Sequence, residues 1–152
     1  MPLEPGDDVP PVSATTQDGE RITVDFDEPT VLFFYPEDGT SGCTIEARQF
    51  DKELETYADA GVTVFGISTD DVDSHRSFAD DEDLDVTLLA DPDGRVAEAF
   101  GVERRNGAAA RTTFVCADGQ VCGLYEGVQP DGHARNVLMD MLNEGLVELP
   151  EE

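Results

Sequence analysis

The stretch Thr30-Val31-Leu32-Phe33-Phe34-Tyr35-Pro36-Glu37-Asp38-Gly39-Thr40-Ser41-Gly42-Cys43-Thr44 decides how this chain folds. Its first six residues are apolar on both alternating faces, the pattern of a strand covered on both sides and therefore interior to its sheet. Pro36 closes that strand. From Cys43 onward, apolar residues recur at Ala47, Phe50, Leu54 and Tyr57, a spacing that keeps them on one face of a helix. Gly61 supplies the stop, and residues 62–68 are again apolar and rich in β-branched side chains. Strand, helix and strand in that order imply a βαβ unit with parallel pairing and a right-handed crossover.

Working outward, residues 1–29 are rich in Pro, Gly and Asp and read as an extended lead-in with a small hairpin, turning at Gln17-Asp18-Gly19 before Ile22-Thr23-Val24. On the other side, a helix over 71–82, a strand at 86–89, a turn at Asp91-Pro92-Asp93-Gly94 and a helix through Phe100 continue the α/β alternation. Residues 111–116 and 121–125 are short strands joined through Asp118-Gly119, a tight-hairpin signal, so the sheet is mixed. A last helix, about 131–147, turns Ala134, Val137, Leu138, Met141 and Leu142 toward the sheet. No repeat, linker or second domain interrupts residues 1–152. A mixed sheet flanked by helices, with an N-terminal extension, suits a thioredoxin-like α/β fold. The competing doubly wound folds need phosphate-binding motifs, and neither G-x-G-x-x-G nor G-x-x-x-x-G-K-[ST] occurs.

Charge narrows the partners. Asp and Glu number 35 against 9 Lys plus Arg, a formal charge of −26. Nucleic acid is thereby an unfavourable partner. Concentrated salt, with a Debye length of about 3 Å at 1 M, would quench the self-repulsion, so the surface reads as adapted to a salty cytosol. The opening residues lack a basic start and an apolar stretch, and no apolar run reaches membrane-spanning length, so a cytoplasmic location is expected. Three cysteines, at 43, 116 and 122, make an odd count without a disulfide framework. No cofactor or metal is implied; the run Asp80-Asp81-Glu82-Asp83 reads as a solvated face, and Asp91-x-Asp93-Gly94 lacks the further ligands of a calcium loop.

Cys43 stands where a strand passes into a helix, the place where open α/β sheets put their sites. In the first helical turn, unsatisfied N–H groups and the positive end of the macrodipole favour a thiolate. Thr40 is close enough in sequence to bring a hydroxyl near the sulfur, and Pro36 can cover an oxidised sulfur and slow its further oxidation. Taken singly, Cys43 reads equally as a buried structural thiol, Thr40 as a helix cap and Pro36 as a strand terminator.

Together Pro36, Thr40 and Cys43 match P-x-x-x-[TS]-x-x-C, and the chain resembles the peroxiredoxins of the bacterioferritin comigratory, or Q-type, subfamily. Phe34-Tyr35-Pro36, Cys43-Thr44-x-Glu46-Ala47, Ser74-His75-x-x-Phe78, Leu88-Leu89-Ala90-Asp91-Pro92-Asp93-Gly94 and Gly101-Val102 carry the likeness over roughly residues 3–145. The resemblance implies reduction of hydrogen peroxide and small organic hydroperoxides through a Cys43 sulfenic acid, in a monomer or weak homodimer. It also implies a partner arginine before a Thr-Phe pair, which here is Arg111. A peroxide sensor or redox chaperone using the same thiol is the alternative, and turnover separates the two.

The pattern also breaks. Many Q-type members carry a resolving cysteine five positions after the first, where this chain has Arg48, and no cysteine follows Cys122. A two-residue turn would set Cys116 opposite Val121 and Cys122 opposite Val115, on opposite faces, as small buried hydrophobes. A one-cysteine cycle is therefore expected, with an external thiol reductant, either a thioredoxin-like protein or a low-molecular-weight thiol. His75 and His133 could suggest a Cys/His nucleophile pair, but the pattern places neither near Cys43, and the resemblance implies that His75 belongs to the scaffold around a helix N-terminus.

Overall fold

The computed structural model describes residues 2–127 and 129–147. Strands β1 (Val12–Thr16) and β2 (Arg21–Val24) form the N-terminal hairpin. β3 (Thr30–Phe34) leads through α1 (Ser41–Lys52) and α2 (Leu54–Asp59) to β4 (Thr63–Ser68), and α3 (Val72–Glu82) leads on to β5 (Thr87–Ala90). After α4 (Arg95–Phe100) come a short hairpin, β6 (Arg104–Arg105) and β7 (Ala108–Ala109), a long one, β8 (Thr112–Ala117) and β9 (Gln120–Glu126), and finally α5 (His133–Asn143).

Seven strands lie in the order β2-β1-β5-β4-β3-β8-β9. β3, β4 and β5 are parallel, while β1 and β8 run antiparallel to their neighbours β5 and β3. The mixed sheet implied by the sequence is thus formed, with β3 in its interior and every residue of β3 buried. The alternation along β3 separates two cores. Val31, Phe33 and Tyr35 pack with Cys43, Ala47 and Phe50 of α1, Phe78 of α3, and Val137, Leu138 and Met141 of α5. Leu32 and Phe34 face the opposite side, with Val96, Ala97 and Phe100 of α4, Phe114 and Cys116. Phe33 stacks on Phe50 at 4.3 Å between ring centres. Gly66 in β4 makes room for that stack, since a Cβ there would come within 2.6 Å of the Phe33 ring. Truncating such a residue costs about 3–5 kcal/mol, so the strand gives the following loop a rigid base.

Four local features differ from the sequence reading. The helix, which carries Cys43 in its first turn, breaks at Glu53 into α1 and α2. The last helix covers a shorter span than 131–147, because Gly145 takes a left-handed φ of 73° and the chain turns back to bury Val147. The β6–β7 hairpin was missed although Asn106-Gly107 carries its signal, both residues having positive φ. In the long hairpin a register shift pairs Val115 with Gly123 rather than with Cys122. Cys122 is therefore exposed, correcting the expectation of a buried residue, whereas Cys116 is buried as expected.

Candidate active site

Helix α1 starts immediately after the loop that follows β3, which puts Cys43 in its first turn with 1% of its surface exposed. β8 pairs antiparallel with β3, Phe34 opposite Thr112. That register brings Arg111, just before β8, to the C-terminal end of β3, level with the start of the helix that carries the thiol. Arg111 Nη2 lies 3.4 Å from Cys43 Sγ. The juxtaposition spans 68 positions of sequence and follows from the pairing of β8 with β3, the strand that leads into α1.

Glu46 completes the group, and no role was assigned to it from sequence. It follows Cys43 by three residues on the same helix face, is fully buried, and accepts a 2.6 Å bond from Arg111 Nη1 through Oε1. Its other oxygen, Oε2, is buried without a hydrogen-bond partner. Burial, opposed by the Arg111 charge, pushes the Glu46 carboxyl up to about 7. Burial works against the Arg111 charge as well, but Glu46 and Cys43 outweigh it and hold the guanidinium above its ordinary value. The arginine is thus fixed as a fork, one nitrogen on a carboxylate and one on sulfur. Gly42 leaves the space it needs, since a Cβ there would lie 3.1 Å from Arg111 Nη2. The signal for Glu46 was a carboxylate on the apolar stripe of an otherwise amphipathic helix, where an unpaired charge is costly.

Two other sequence candidates are placed less directly. Pro36 is half-buried and shares the wall of a surface hollow with Arg111. Thr40 occupies the N-cap position of α1 with extended backbone and is exposed. Its hydroxyl donates to the Glu37 carbonyl at 3.1 Å rather than to the sulfur, which corrects the expected contact in this conformation.

The loop between Pro36 and Thr40 is tied down from behind. Asp38 accepts hydrogen bonds from Tyr35 Oη at 2.7 Å, Ser74 Oγ at 2.8 Å and His75 Nδ1 at 2.7 Å. Its own N–H donates to Asp70 Oδ2, and His75 Nε2 donates to the Leu89 carbonyl. Burial raises the Asp38 carboxyl, but the bonds and charge of His75, with Tyr35 and Ser74, carry it below the usual carboxylate value. His75 is thus the scaffold residue that the sequence suggested. Donor atoms of Asp38, Asp70 and His75 lie within 4.8 Å of one another. All three side chains are already committed to these protein hydrogen bonds, so the group is built as a brace rather than as a metal cradle.

His133 stands closer to the centre than its sequence position suggested. Its Nε2 bonds Thr113 Oγ1 at 2.8 Å, and burial, then the Arg111 charge, push the imidazole down to about 4. Cys116 lies in the core on the face of the sheet opposite Cys43. Burial, with the neighbouring Cys122, pushes its thiol up to about 12. Along β8, Cys116 is five residues from Arg111, about 17 Å at roughly 3.3 Å per residue. All three cysteines are free.

Among known proteins, the model of the AhpC/TSA family matches residues 5–122. Peroxiredoxin Bcp of Escherichia coli K12 is 35% identical over 94% of this chain and 97% of its own length. The crystal structure of peroxidoxin BcpB from Mycobacterium tuberculosis superposes with a TM-score of 0.86 at 35% identity, covering 93% of this chain and 97% of that one. A Xanthomonas campestris bacterioferritin comigratory protein, whose structures address its alkyl peroxide reduction activity, superposes with a TM-score of 0.81 at 28% identity over 88% and 91% of the two chains.

Proposed function

This chain belongs to the AhpC/TSA family and is a thiol-dependent peroxidase, and we propose that Cys43 is the peroxidatic nucleophile, assisted by Arg111, Thr40 and Pro36. The observation that carries the assignment is the guanidinium 3.4 Å from Sγ, backed by a buried carboxylate. A thiolate there attacks the distal oxygen of hydrogen peroxide or a small organic hydroperoxide. The O–O bond breaks, sulfur keeps one oxygen as sulfenic acid, and the other leaves as water or an alcohol after taking up a proton. Arg111 N–H groups are aimed at the oxygens on which negative charge develops. Thr40 joins by turning its hydroxyl from the Glu37 carbonyl toward the sulfur, and Pro36 shields the sulfenic acid.

The cycle in this reading is one-cysteine. Arg48 occupies the intrahelical resolving position, Cys116 is on the far face of the sheet, and Cys122 is exposed at the distant end of β9. An external thiol, small or carried by a thioredoxin-like protein, then reduces Cys43. The same reading has a monomer or weak homodimer working in the cytoplasm at high salt, without cofactor or nucleic acid. No helix among the described residues is long and apolar enough to cross a membrane.

Intact-protein mass spectrometry after one equivalent of hydrogen peroxide tests the cycle. One added oxygen on Cys43, converted by added thiol to a mixed disulfide, is expected; a stoichiometric bridge from Cys43 to Cys116 or Cys122 would overturn it.

A further inference from the structure

Adjoining the reaction centre is an open hollow of about 1300 Å³ whose wall includes Pro36 and Arg111 and whose rim carries Arg104 and Arg105 of the β6–β7 hairpin. Hydrogen peroxide would leave nearly all of it empty, since hollows of about 300–1,000 Å³ hold ligands of drug size. The charge of the lining is unusual for this protein. Acidic residues outnumber basic ones by 35 to 9 in the chain, yet here three arginines face three glutamates, Glu98, Glu103 and Glu126. A second hollow, beside Asp71 and Asp93, sets two arginines against four aspartates.

The three arginines are not equally committed. Arg111 is held by Glu46 and Cys43, and Arg104 donates to the Asp93 carbonyl at 3.2 Å. The Arg105 side chain is 80% exposed and, among the described residues, meets only the Glu103 carboxylate, at 3.5 Å. An exposed pair of that kind is worth about 0–1 kcal/mol, so an incoming carboxylate competes with it. The acidic excess of the whole chain repels anions, and the arginines of this hollow offset it locally.

We propose that this hollow receives the reductant, and that the reductant is a low-molecular-weight thiol bearing a carboxylate, held by Arg105 and Arg104 while its sulfur approaches Cys43 past Pro36. The proposal rests on the one-cysteine reading, in which the resolving sulfur must come from outside. The first thiol gives its sulfur to the Cys43 sulfenic acid, forming a mixed disulfide and releasing water. A second thiol attacks that disulfide, restoring the Cys43 thiol and leaving the oxidised small disulfide. Two thiols are oxidised for each hydroperoxide reduced.

The test is steady-state peroxide consumption with mercaptosuccinate, 2-mercaptoethanol and cysteamine at matched thiolate concentrations and low salt. In the wild type, KM should be lowest for mercaptosuccinate and highest for cysteamine. Arg105→Glu should raise the mercaptosuccinate KM about tenfold relative to that for 2-mercaptoethanol and lower that for cysteamine. Arg95→Glu, at the second hollow, should leave these ratios unchanged, and 1 M salt should narrow the discrimination without abolishing it. Equal changes for all three thiols in Arg105→Glu, or none, overturn the proposal. An intramolecular disulfide in the oxidised wild type would sink the one-cysteine reading itself. Mixed-disulfide formation with mercaptosuccinate at equal rates in wild type and Arg105→Glu would leave that reading standing and remove only the hollow.

Discussion

The β8–β9 hairpin lies beside a cysteine at each end, and the surroundings at the two ends are opposites. At the start of β8, Arg111 reaches a buried sulfur and is itself pinned by a buried carboxylate. Near the turn, Cys116 is buried without a cation and Cys122 is exposed, its thiol raised by what burial it has, with the charges of Asp118 and Glu144 adding. Burial therefore does not distinguish Cys43 from Cys116, since both side chains are buried. The difference lies in the neighbours, and these are set by which strand end meets which helix.

Removing the sulfur at each end should break the comparison most sharply. Cys43→Ser is expected to reduce peroxide consumption to background, while Cys116→Ser and Cys122→Ser keep most of it; a loss at either distal position comparable to that at Cys43 would contradict the contrast. Next in size is the cation. Arg111→Ala should slow oxidation of Cys43 by about 10²–10³-fold in stopped-flow measurements, as when one preorganised donor is lost. Arg111→Lys should recover only part of this, because an ammonium has no planar fork.

The carboxylate sharpens the comparison through pH. The folded chain holds a proton on Glu46 up to about 7, against an ordinary value of 4.5. Its contribution to stability is therefore greatest below the ordinary value and is lost as pH rises through the folded one. Glu46→Gln stays neutral throughout. The stability difference between wild type and this variant, read from urea unfolding at fixed salt, should shift by on the order of 3 kcal/mol between pH 4 and pH 8, wild type losing ground at the alkaline end. Parallel profiles would show that the carboxylate is not proton-linked to folding. The smallest effect is steric. Gly42→Ala should press on Arg111 and lower the oxidation rate severalfold, with the urea midpoint changed by less than about 1 kcal/mol of stability; an unchanged rate would mean the guanidinium has slack.

Legibility from sequence followed the range of the interactions. The β3–α1–β4 unit, the N-terminal hairpin and the long hairpin were readable because alternation, helical spacing and turn residues act over a few positions. Cys43, Thr40 and Pro36 were readable as one local motif, whereas Arg111 came only from the family resemblance. Glu46 stood inside the quoted pattern without a role, since nothing nearby in sequence shows that Arg111 will cover it. The local motif does not show that the loop carbonyl of Glu37 competes with the sulfur for the Thr40 hydroxyl and holds it in this conformation. The register shift that exposes Cys122 left no mark that alternation alone could detect.

By itself, the sequence determined the strand that ends at Pro36, the helix that starts beside Cys43, the βαβ order and the acidic surface, all of which follow from periodicity and composition. Only the tertiary structure decided that Glu46 meets the arginine that reaches that sulfur, that Asp38 and His75 brace the loop, and which face of the sheet each cysteine occupies. Local pattern fixes which way a side chain points from its own element. What it meets there depends on strand order and register, which are settled by packing between elements far apart in the chain.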